Sequence, residues 1–399
     1  MLGVLDGIRV LDFGRYIAGP YVGALLADFG ADVIRVEKRG GSEDRFVLPV
    51  TMRADGQPGE GAMFLQMNRN KRSITLDPMK PAGRAVLERL VGTADVVIAN
   101  LPPQTMARMG LDYESLRAVK ADIILANLSS YGKDGPWATR PGFDSVGQAM
   151  CGSIYLTGEP GRPWRAPIAF VDFGTALHAA FGVAMALIER QRSGRGQEVV
   201  GALLATATAF NGYMLTEQSA RALDRGPIGN RAFNSGPTDL FETKDGFIVV
   251  HTVGNPLFKR WADLMGEPEW LEDERFATDD ARGDNGTVLS ERMAAWCAER
   301  TRDEALDALA AAHIPAGPVL KPQEALDHPQ VRALGLLHPV AWPGTDRPAM
   351  VAQAPVWLSE TPALPPTGQA ETGQHTDEVL SAVGYSAEDL AALRETGAI

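Results

Sequence analysis

The sequence contains little cysteine and an excess of acidic over basic residues. Its two cysteines, Cys151 and Cys297, lie far apart and lack the spacing of metal ligands, which is typical of a protein in the reducing cytoplasm. The 50 acidic and 38 basic residues give a net charge of −12. This balance argues against nucleic acid or an anionic membrane as a partner.

A long hydrophobic run and the signatures of several enzyme classes are also missing. The longest apolar run, around residues 179–188, is much shorter than the roughly 20 residues of a membrane-spanning helix. The N-terminus does not have the pattern of a signal peptide, so we expect a cytoplasmic location. There is no G-x-S-x-G, H-E-x-x-H, C-x-x-C or P-loop motif. Histidines are scattered, with His178 interpreted as a core residue, and we expect no metal.

The first part of the chain is typical of a parallel α/β sheet. Residues 8–38 predict a strand, a Gly-rich turn, a helix opened by Gly19 and Pro20, and a second strand. Further apolar strands at 94–100 and 122–130 alternate with helices, which favours a doubly wound sheet. The turn after the first strand reads G-R-Y-I-A-G and not G-x-G-x-x-G, so NAD binding is not supported.

Composition changes near residues 222–237, and a smaller α+β region follows. A hairpin pattern around Lys244, Asp245 and Gly246 precedes three amphipathic helices, and a Pro-rich tail ends in two short helices. The Gly- and Pro-rich segment 129–148 is predicted to be a long loop, a kind of element that often carries function.

A single carboxylate, Asp172, lies at the start of a helix predicted over 172–191, directly after an apolar segment. The helix is apolar nearly all round, so it is predicted to be buried. Asp172 is then either an N-cap or a nucleophile that the helix end keeps ionised. Asn100, Lys38 and Arg39 follow predicted strands and are either ligand contacts or ordinary turn and surface residues.

The assembled pattern resembles the class III CoA-transferase family, which includes formyl-CoA transferase, carnitine CoA-transferase and the α-methylacyl-CoA racemases. The resemblance runs nearly end to end, and the matching stretches include LDGIRVLDFGRYIAGPYVGALLADFGADVIRVEKRGGSEDR, NRNKRSITLD, GFDSVGQAMCGSIYLTG and VDFGTALHAAFGVAMALIERQRSGRGQ. It implies a Rossmann-like large domain, residues 1–222 and 331–399, that the C-terminal tail completes. It also implies an inserted small α+β domain, residues 223–330, and an interlocked homodimer.

The resemblance implies the reaction and the residues that perform it. Asp172 would attack an acyl-CoA thioester, and CoA would pass through a mixed anhydride and an aspartyl-CoA thioester to a free acid, small or dicarboxylic. Coenzyme A is then a substrate, with no metal and no ATP. By resemblance the CoA site comprises Ile17, Ala18, Lys38, Arg39, Leu76, Lys80, Asn100, Leu101, Arg108, Met109, Arg140, Phe143 and Asp144.

Two branches of the family fit the sequence less well. The racemase branch, which is the alternative function, has His where this chain has Phe143, so one proton-transfer group is missing. The formyl-CoA branch has Gln where this chain has Ile17, and its Gly-rich loop is not evident near residues 251–256. The sequence therefore favours acyl-CoA:carboxylate CoA transfer.

Overall fold

A computed structural model of the chain describes residues 3–47, 49–52, 56 and 58–399. The chain forms two compact units. Unit 1 comprises Met1–Cys151, Ala166–Tyr213 and Arg332–Ile399, and unit 2 comprises Gly152–Arg165 and Met214–Val331. Relative to the predicted domains, unit 2 begins earlier, at Met214, and also takes in residues 152–165.

The strands of the described residues are short, and most of them belong to unit 1. They are β1 (Arg9–Asp12), β2 (Asp32–Glu37), β3 (Val50–Met52), β4 (Pro58–Gly61), β5 (Arg72–Thr75), β6 (Val96–Ala99), β7 (Ile124–Ser129), β8 (Gly158–Glu159), β9 (Arg162–Pro163), β10 (Glu198–Ala202), β11 (Thr238–Thr243), β12 (Gly246–His251), β13 (Ala316–Pro318), β14 (Leu337–Val340) and β15 (Ala349–Ala352).

Helices fill most of the connections between these strands. They are α1 (Ala18–Asp28), α2 (Ala62–Met67), α3 (Pro81–Val91), α4 (Pro103–Met109), α5 (Tyr113–Val119), α6 (Asp144–Met150), α7 (Ser153–Leu156), α8 (Phe170–Ser193), α9 (Leu203–Phe210), α10 (Gly212–Arg221), α11 (Asn255–Met265), α12 (Asp279–Asp284), α13 (Gly286–Ala298), α14 (Arg302–Ala311), α15 (Pro322–Asp327), α16 (Pro329–Ala333), α17 (Thr376–Ala382) and α18 (Ala387–Glu395). Three 3₁₀ turns, Glu43–Phe46, Pro268–Leu271 and Glu274–Phe276, lie among the described residues.

Six strands of unit 1 form one parallel sheet in the order β10-β7-β6-β1-β2-β5. Successive side chains of a strand point to opposite faces of the sheet. In β1, Val10 lies in the core that contains α1 and α8, whereas Leu11 lies in the core that contains α3 and α17. Helices therefore cover both faces, which confirms the predicted Rossmann-like parallel α/β sheet.

The strand order reverses between β1 and β6. The chain proceeds from β1 to β2 and β5 on one side, and then returns to place β6 on the other side of β1. Such a reversal opens a crevice at the carboxyl ends of the two strands, where open α/β sheets bind their ligands. Close approach at this point requires glycine, because a Cβ on Gly14 would lie 2.7 Å from Pro20 and one on Gly19 would lie 2.8 Å from the Gly14 backbone.

Helix α8 is longer than predicted, and one of its faces is exposed. Its 24 residues are long and apolar enough to cross a bilayer, a test that the core helix of a soluble protein also passes. The sequence argument against a membrane-spanning helix, which used only the apolar run 179–188, therefore does not hold for the whole helix. The prediction that it is buried all round is wrong for the single chain. We call its exposed apolar residues the α8 stripe: Leu177, Phe181, Met185 and Ile188, which are 46%, 65%, 43% and 52% exposed.

Unit 2 contains the predicted hairpin and the three predicted helices. Strands β11 and β12 pair antiparallel, and β13 joins at the β12 edge. Phe241, Ile248 and Val250 lie in one core with residues of α11, α13 and α14. This arrangement follows from the alternation of apolar residues in the hairpin, since one face of the sheet meets the apolar faces of the helices.

Two elements depart from the sequence prediction. The Pro-rich tail contains a hairpin, β14 and β15, before the two predicted terminal helices. The predicted loop 129–148 ends at Phe143, because α6 begins at Asp144. Asp144 is therefore the first residue of a helix and not part of the loop.

Candidate active site

A cavity of about 510 Å³ lies in unit 1 at the carboxyl edge of the parallel sheet. Segments that follow β1, β6 and β7 build its walls, and residues of α8 and α9 complete it. Its lining residues are 15–18, 100–103, 128–130, 138–143, Asp172 and Leu203. The cavity therefore occupies the crevice at the reversal between β1 and β6.

Asp172 faces this cavity from the first turn of α8, where it is the third residue. The interpretation of Asp172 as the N-cap is wrong, because that position is taken by Ala169, which has no capping side chain. Instead, Asp144 Oδ2 accepts the backbone N–H groups of Val171 (2.7 Å) and Asp172 (3.0 Å). The distant Asp144 thus satisfies the N–H groups at the start of α8.

Asp144 is itself held beneath the cavity wall by Gln148. Gln148 Nε2 donates to Asp144 Oδ1, and Gln148 Oε1 accepts the backbone N–H of Ala166 at 3.2 Å. Asp144 and Gln148 are 8% and 1% exposed. Asp144, which the resemblance placed at the CoA site, is therefore turned toward the helix start, where it positions Asp172.

The Asp172 carboxylate has an unusual proton affinity. Burial, and after it the negative charge of Asp144, raise the pKa of Asp172 from its ordinary 3.8 to about 7. In the described part of the chain, no group donates a hydrogen bond to this carboxylate. The expectation that the helix end keeps Asp172 fully ionised at neutral pH therefore needs correction. The N–H groups of Val171 and Asp172 already donate to Asp144, so they are not available to stabilise a negative charge on the Asp172 side chain.

The raised pKa predicts a pH-dependent stability difference between the native chain and the Asp172→Asn variant. The folded pKa lies above the unfolded one, so the native chain loses stability as pH rises from about 4 to about 7. A tenfold difference in proton affinity corresponds to about 1.4 kcal/mol, so the loss is at most roughly 4 kcal/mol, and water in the cavity reduces it. We expect Asp172→Asn to unfold at higher urea than the native chain at pH 8, and at nearly the same urea at pH 4. A stability difference that is the same at both pH values would contradict the raised pKa.

The loop after β1 is clamped by Asn100 at the end of β6. Asn100 Oδ1 accepts the Arg15 N–H at 2.6 Å, and Asn100 Nδ2 donates to the Arg15 carbonyl at 2.9 Å. Asn100 lines the cavity, as expected of a residue in the predicted CoA site, but its amide is engaged in holding this loop. The Arg15 guanidinium donates to the carbonyls of Phe13 (3.0 Å) and Gly14 (2.8 Å) and also lines the cavity.

A buried ionic cluster lies beneath the same loop. Lys71 Nζ donates to Asp12 Oδ2 at 2.7 Å, and Asp12 Oδ1 accepts the N–H of Gly14 at 2.8 Å. Arg35 donates to the Gly14 carbonyl and to both Asp44 oxygens. Burial lowers the pKa of Lys71 to about 8 against the opposing pull of Asp12. Although burial alone would raise the pKa of Asp12, Lys71 and Arg35 hold that pKa below its ordinary value.

The predicted CoA residues fall into two groups. Ile17, Ala18, Asn100, Leu101, Arg140 and Phe143 line the cavity with Asp172. The others, apart from Asp144, are Lys38, Arg39, Leu76, Lys80, Arg108 and Met109, which lie outside the lining. Lys38, Arg39, Leu76 and Lys80 follow β2 and β5, so they belong to the same carboxyl edge of the sheet.

Within that second group, two basic side chains converge. A Cβ on Gly397 would lie 2.6 Å from Lys80 Nζ and 3.5 Å from Arg39 Nη1, so both cations flank the same point. Lys80 Nζ donates to the Thr396 carbonyl at 2.7 Å. Lys38 instead forms an exposed ion pair with Glu43 at 2.7 Å.

Three further predicted residues have other surroundings. Leu76 is buried in the core next to α3, and Met109 packs against the same core. Arg108 is exposed, and its carbonyl accepts a hydrogen bond from Arg84.

Sequence reasoning missed several residues of the cavity wall, among them Arg15 and Tyr16, and misplaced one histidine. Arg15 and Tyr16 line the cavity, and their place in the turn after the first strand was the available signal. His178 is exposed rather than buried in the core, with Nδ1 at 3.3 Å from Thr206 Oγ1. Among the described residues, no group of three His, Cys, Asp or Glu side chains could hold a metal ion.

Comparisons with known proteins agree on one family. The profile of CoA-transferase family III matches residues 5–376. The chain is 36% identical to a succinate–glutarate CoA-transferase of Agrobacterium fabrum, covering 94% of this chain and 95% of that protein. It is 36% identical to a succinyl-CoA–D-citramalate CoA-transferase of Chloroflexus aurantiacus, covering 98% and 96%. The crystal structure of a CAIB/BAIF family protein from Brucella suis superposes with a TM-score of 0.83 at 32% identity, covering 96% and 100%.

Proposed function

The chain belongs to CoA-transferase family III, and from this premise we propose that it moves CoA from an acyl-CoA to a free carboxylic acid with Asp172 as the nucleophile. The observation that carries the proposal is the position of the Asp172 carboxylate. It faces the cavity at the strand reversal without a hydrogen bond from any described residue. Once ionised, this carboxylate can attack a thioester carbonyl carbon without first breaking a hydrogen bond to the protein.

The first half of the reaction loads CoA onto the protein. An Asp172 oxygen attacks the thioester carbonyl carbon, the carbon–sulfur bond breaks, and CoA leaves as a thiolate. This gives an acyl-aspartyl anhydride. The thiolate then attacks Cγ of Asp172 and expels the acyl group as a carboxylate, which leaves an aspartyl-CoA thioester.

The second half reverses these steps with the acceptor acid. The acceptor carboxylate attacks Cγ of Asp172 and expels the CoA thiolate, giving a second anhydride. The thiolate attacks the acceptor's carbonyl carbon, and Asp172 leaves as a carboxylate. One thioester is consumed and one is formed, with no net proton and no oxidation, so the exchange needs no external energy source.

Arg39 and Lys80 are proposed to bind phosphate groups of CoA. They converge beyond β2 and β5, on the sheet edge that also carries the cavity. Positive charge at this place on a chain of net charge −12 suits a polyanionic ligand.

Replacing either cation should weaken the binding of acyl-CoA and leave the rate of the chemical step nearly unchanged. We expect Arg39→Ala and Lys80→Ala each to raise KM for the acyl-CoA about tenfold and to leave kcat within about threefold, because the phosphates are held equally in the ground and transition states. The matched control is Lys120→Ala, which removes a partly buried cation that pairs with Asp122 between α5 and β7, away from the carboxyl edge of the sheet. Steady-state kinetics at constant ionic strength decide the matter, and a loss confined to kcat would contradict this assignment.

A homodimer is proposed from the α8 stripe. Isolated exposed apolar residues are normal, but four at helical spacing on one helix make a continuous apolar surface. The family resemblance implies that a second copy covers such surfaces, as links that interlock.

The dimer has a direct test. We expect the Phe181→Glu variant to sediment as a monomer or to fail to assemble, because a carboxylate would be buried without a partner at the proposed interface. The control, Gln191→Glu, adds the same charge at an exposed polar position of the same helix. A Phe181→Glu protein that remains a dimer in sedimentation velocity would show that the stripe is not the interface.

The substrate class is proposed from the relatives and the cavity wall. The two relatives carry the names of succinate, glutarate and D-citramalate, which are dicarboxylic acids. Arg15 and Arg140 bring positive charge to the cavity, where it would suit a second carboxylate. A matrix of acyl-CoA donors against mono- and dicarboxylic acceptors tests the function. Transfer with dicarboxylic pairs supports it, and α-proton exchange in D₂O without any transfer would favour the racemase alternative instead.

A further inference from the structure

Tyr16 has a backbone conformation that its residue type disfavours. Its φ is +63°, in the left-handed region, where a side chain with a β-carbon crowds the backbone. Glycine or asparagine adopts this conformation more readily. A disfavoured conformation persists only where its surroundings over-determine it, and such places are often functional.

The surroundings of Tyr16 do over-determine it. Asp44 Oδ2 accepts the Tyr16 N–H at 3.1 Å, and Arg35 Nη2 holds the same oxygen at 2.8 Å. The side chains of Asp44 and Arg35 are 0% and 1% exposed. On the other side, Asn100 accepts from the backbone N–H and donates to the backbone carbonyl of the preceding residue, Arg15. The Cα–Cβ bond of Tyr16 therefore leaves the loop in one direction.

That direction brings Tyr16 against Phe143. The two rings meet edge to face, with centroids 5.6 Å apart and planes at 89°, which is a favourable aromatic geometry. Tyr16 follows β1, whereas Phe143 immediately precedes α6, and both residues line the cavity of Asp172. The ring pair thus joins two walls of this cavity.

We propose that Tyr16 is a specificity-determining residue whose ring closes one side of the cavity with Phe143 and so limits the length of the acyl group. This inference rests on the proposed CoA transfer, since it concerns the group attached to CoA. Short acyl groups fit beside Asp172 without reaching the ring pair. Longer chains need the space that the ring pair occupies, and the fixed loop keeps the Tyr16 backbone from moving aside.

The test uses the full-length protein with Tyr16→Gly and Tyr16→Asn, which suit the left-handed backbone and remove the ring. Tyr16→Phe is the matched control, because it keeps the ring and removes only the hydroxyl. Straight-chain acyl-CoAs from acetyl to octanoyl are compared by Kd and, with one fixed acceptor, by kcat/KM. In both ring-removing variants we expect kcat/KM and affinity for octanoyl-CoA, relative to acetyl-CoA, to rise at least about tenfold. Tyr16→Phe should keep the native dependence on chain length.

Two outcomes would overturn the inference. One is a native profile already flat from acetyl to octanoyl, and the other is Tyr16→Gly and Tyr16→Asn proteins that keep the native profile. The Kd series separates this failure from failure of the proposed function. If no donor supports turnover but ring removal still improves octanoyl-CoA binding, the length limit stands and CoA transfer does not.

Discussion

Replacement of Asp172 by alanine is expected to lower kcat for CoA transfer at least about a thousandfold, because the residue that carries both covalent intermediates is gone. CoA binding should remain within a few-fold of the native value, since the basic residues beyond β2 and β5 are untouched. The measurements are steady-state transfer with the best donor–acceptor pair and CoA binding by calorimetry.

A matched control distinguishes this loss from damage to a helix start. Asp377 also lies in the first turn of a helix, α17, and is exposed. We expect Asp377→Ala to transfer CoA at the native rate. If Asp172→Ala retained more than about a tenth of the native kcat while folded, Asp172 would not be the nucleophile.

Replacement of Asp144 by alanine is expected to have the second-largest effect. It leaves the N–H groups of Val171 and Asp172 without their acceptor, which should cost roughly 1–2 kcal/mol of stability. Loss of this anchor should also lower kcat about ten- to a hundredfold, because Asp172 is then less well positioned. Chemical unfolding and transfer kinetics measure the two effects.

The Asp144→Asn variant separates charge from hydrogen bonding. Its amide oxygen can still accept an N–H, so we expect a smaller loss of stability than in Asp144→Ala. Both variants remove a negative charge beside Asp172, so the pKa of Asp172 should fall toward its ordinary value, although burial still raises it. Because Asp172 must be ionised to attack, kcat/KM should rise with pH as this carboxyl loses its proton, and that rise should occur at lower pH in both variants. An unmoved pH profile in both would show that Asp144 has no electrostatic influence on Asp172.

The sequence predicted the parts of the fold that depend on local patterns. Short apolar runs such as 94–100 are strands because alternate side chains enter opposite cores of the same sheet. The hairpin and the amphipathic helices of unit 2 follow from the same kind of regularity. The apolar face of α8 that stays exposed could not be distinguished from its buried face, since both faces have the same composition.

The connections that build the site are long-range, and single-sequence reasoning has no access to them. Asp144 reaches the start of α8 across 28 residues, and Asn100 reaches Arg15 across 85. For this reason the sequence placed Asp172 correctly at a helix start but left the N-cap open as one of its two roles, whereas Asp144 accepts the N–H groups there. The resemblance supplied the candidate residues, and the geometry then divided them between the cavity wall, the sheet edge and the support beneath Asp172.

The fate of the acceptor's oxygen tests the central claim most directly. In the proposed reaction, the acceptor carboxylate attacks Cγ of Asp172, and the bridging oxygen stays on Asp172 when CoA leaves with the new acyl group. With a doubly ¹⁸O-labelled acceptor acid and an unlabelled acyl-CoA, the peptide that contains Asp172 should therefore gain ¹⁸O during turnover, as read by tandem mass spectrometry. Formation of the product thioester with no ¹⁸O in Asp172 would contradict the account.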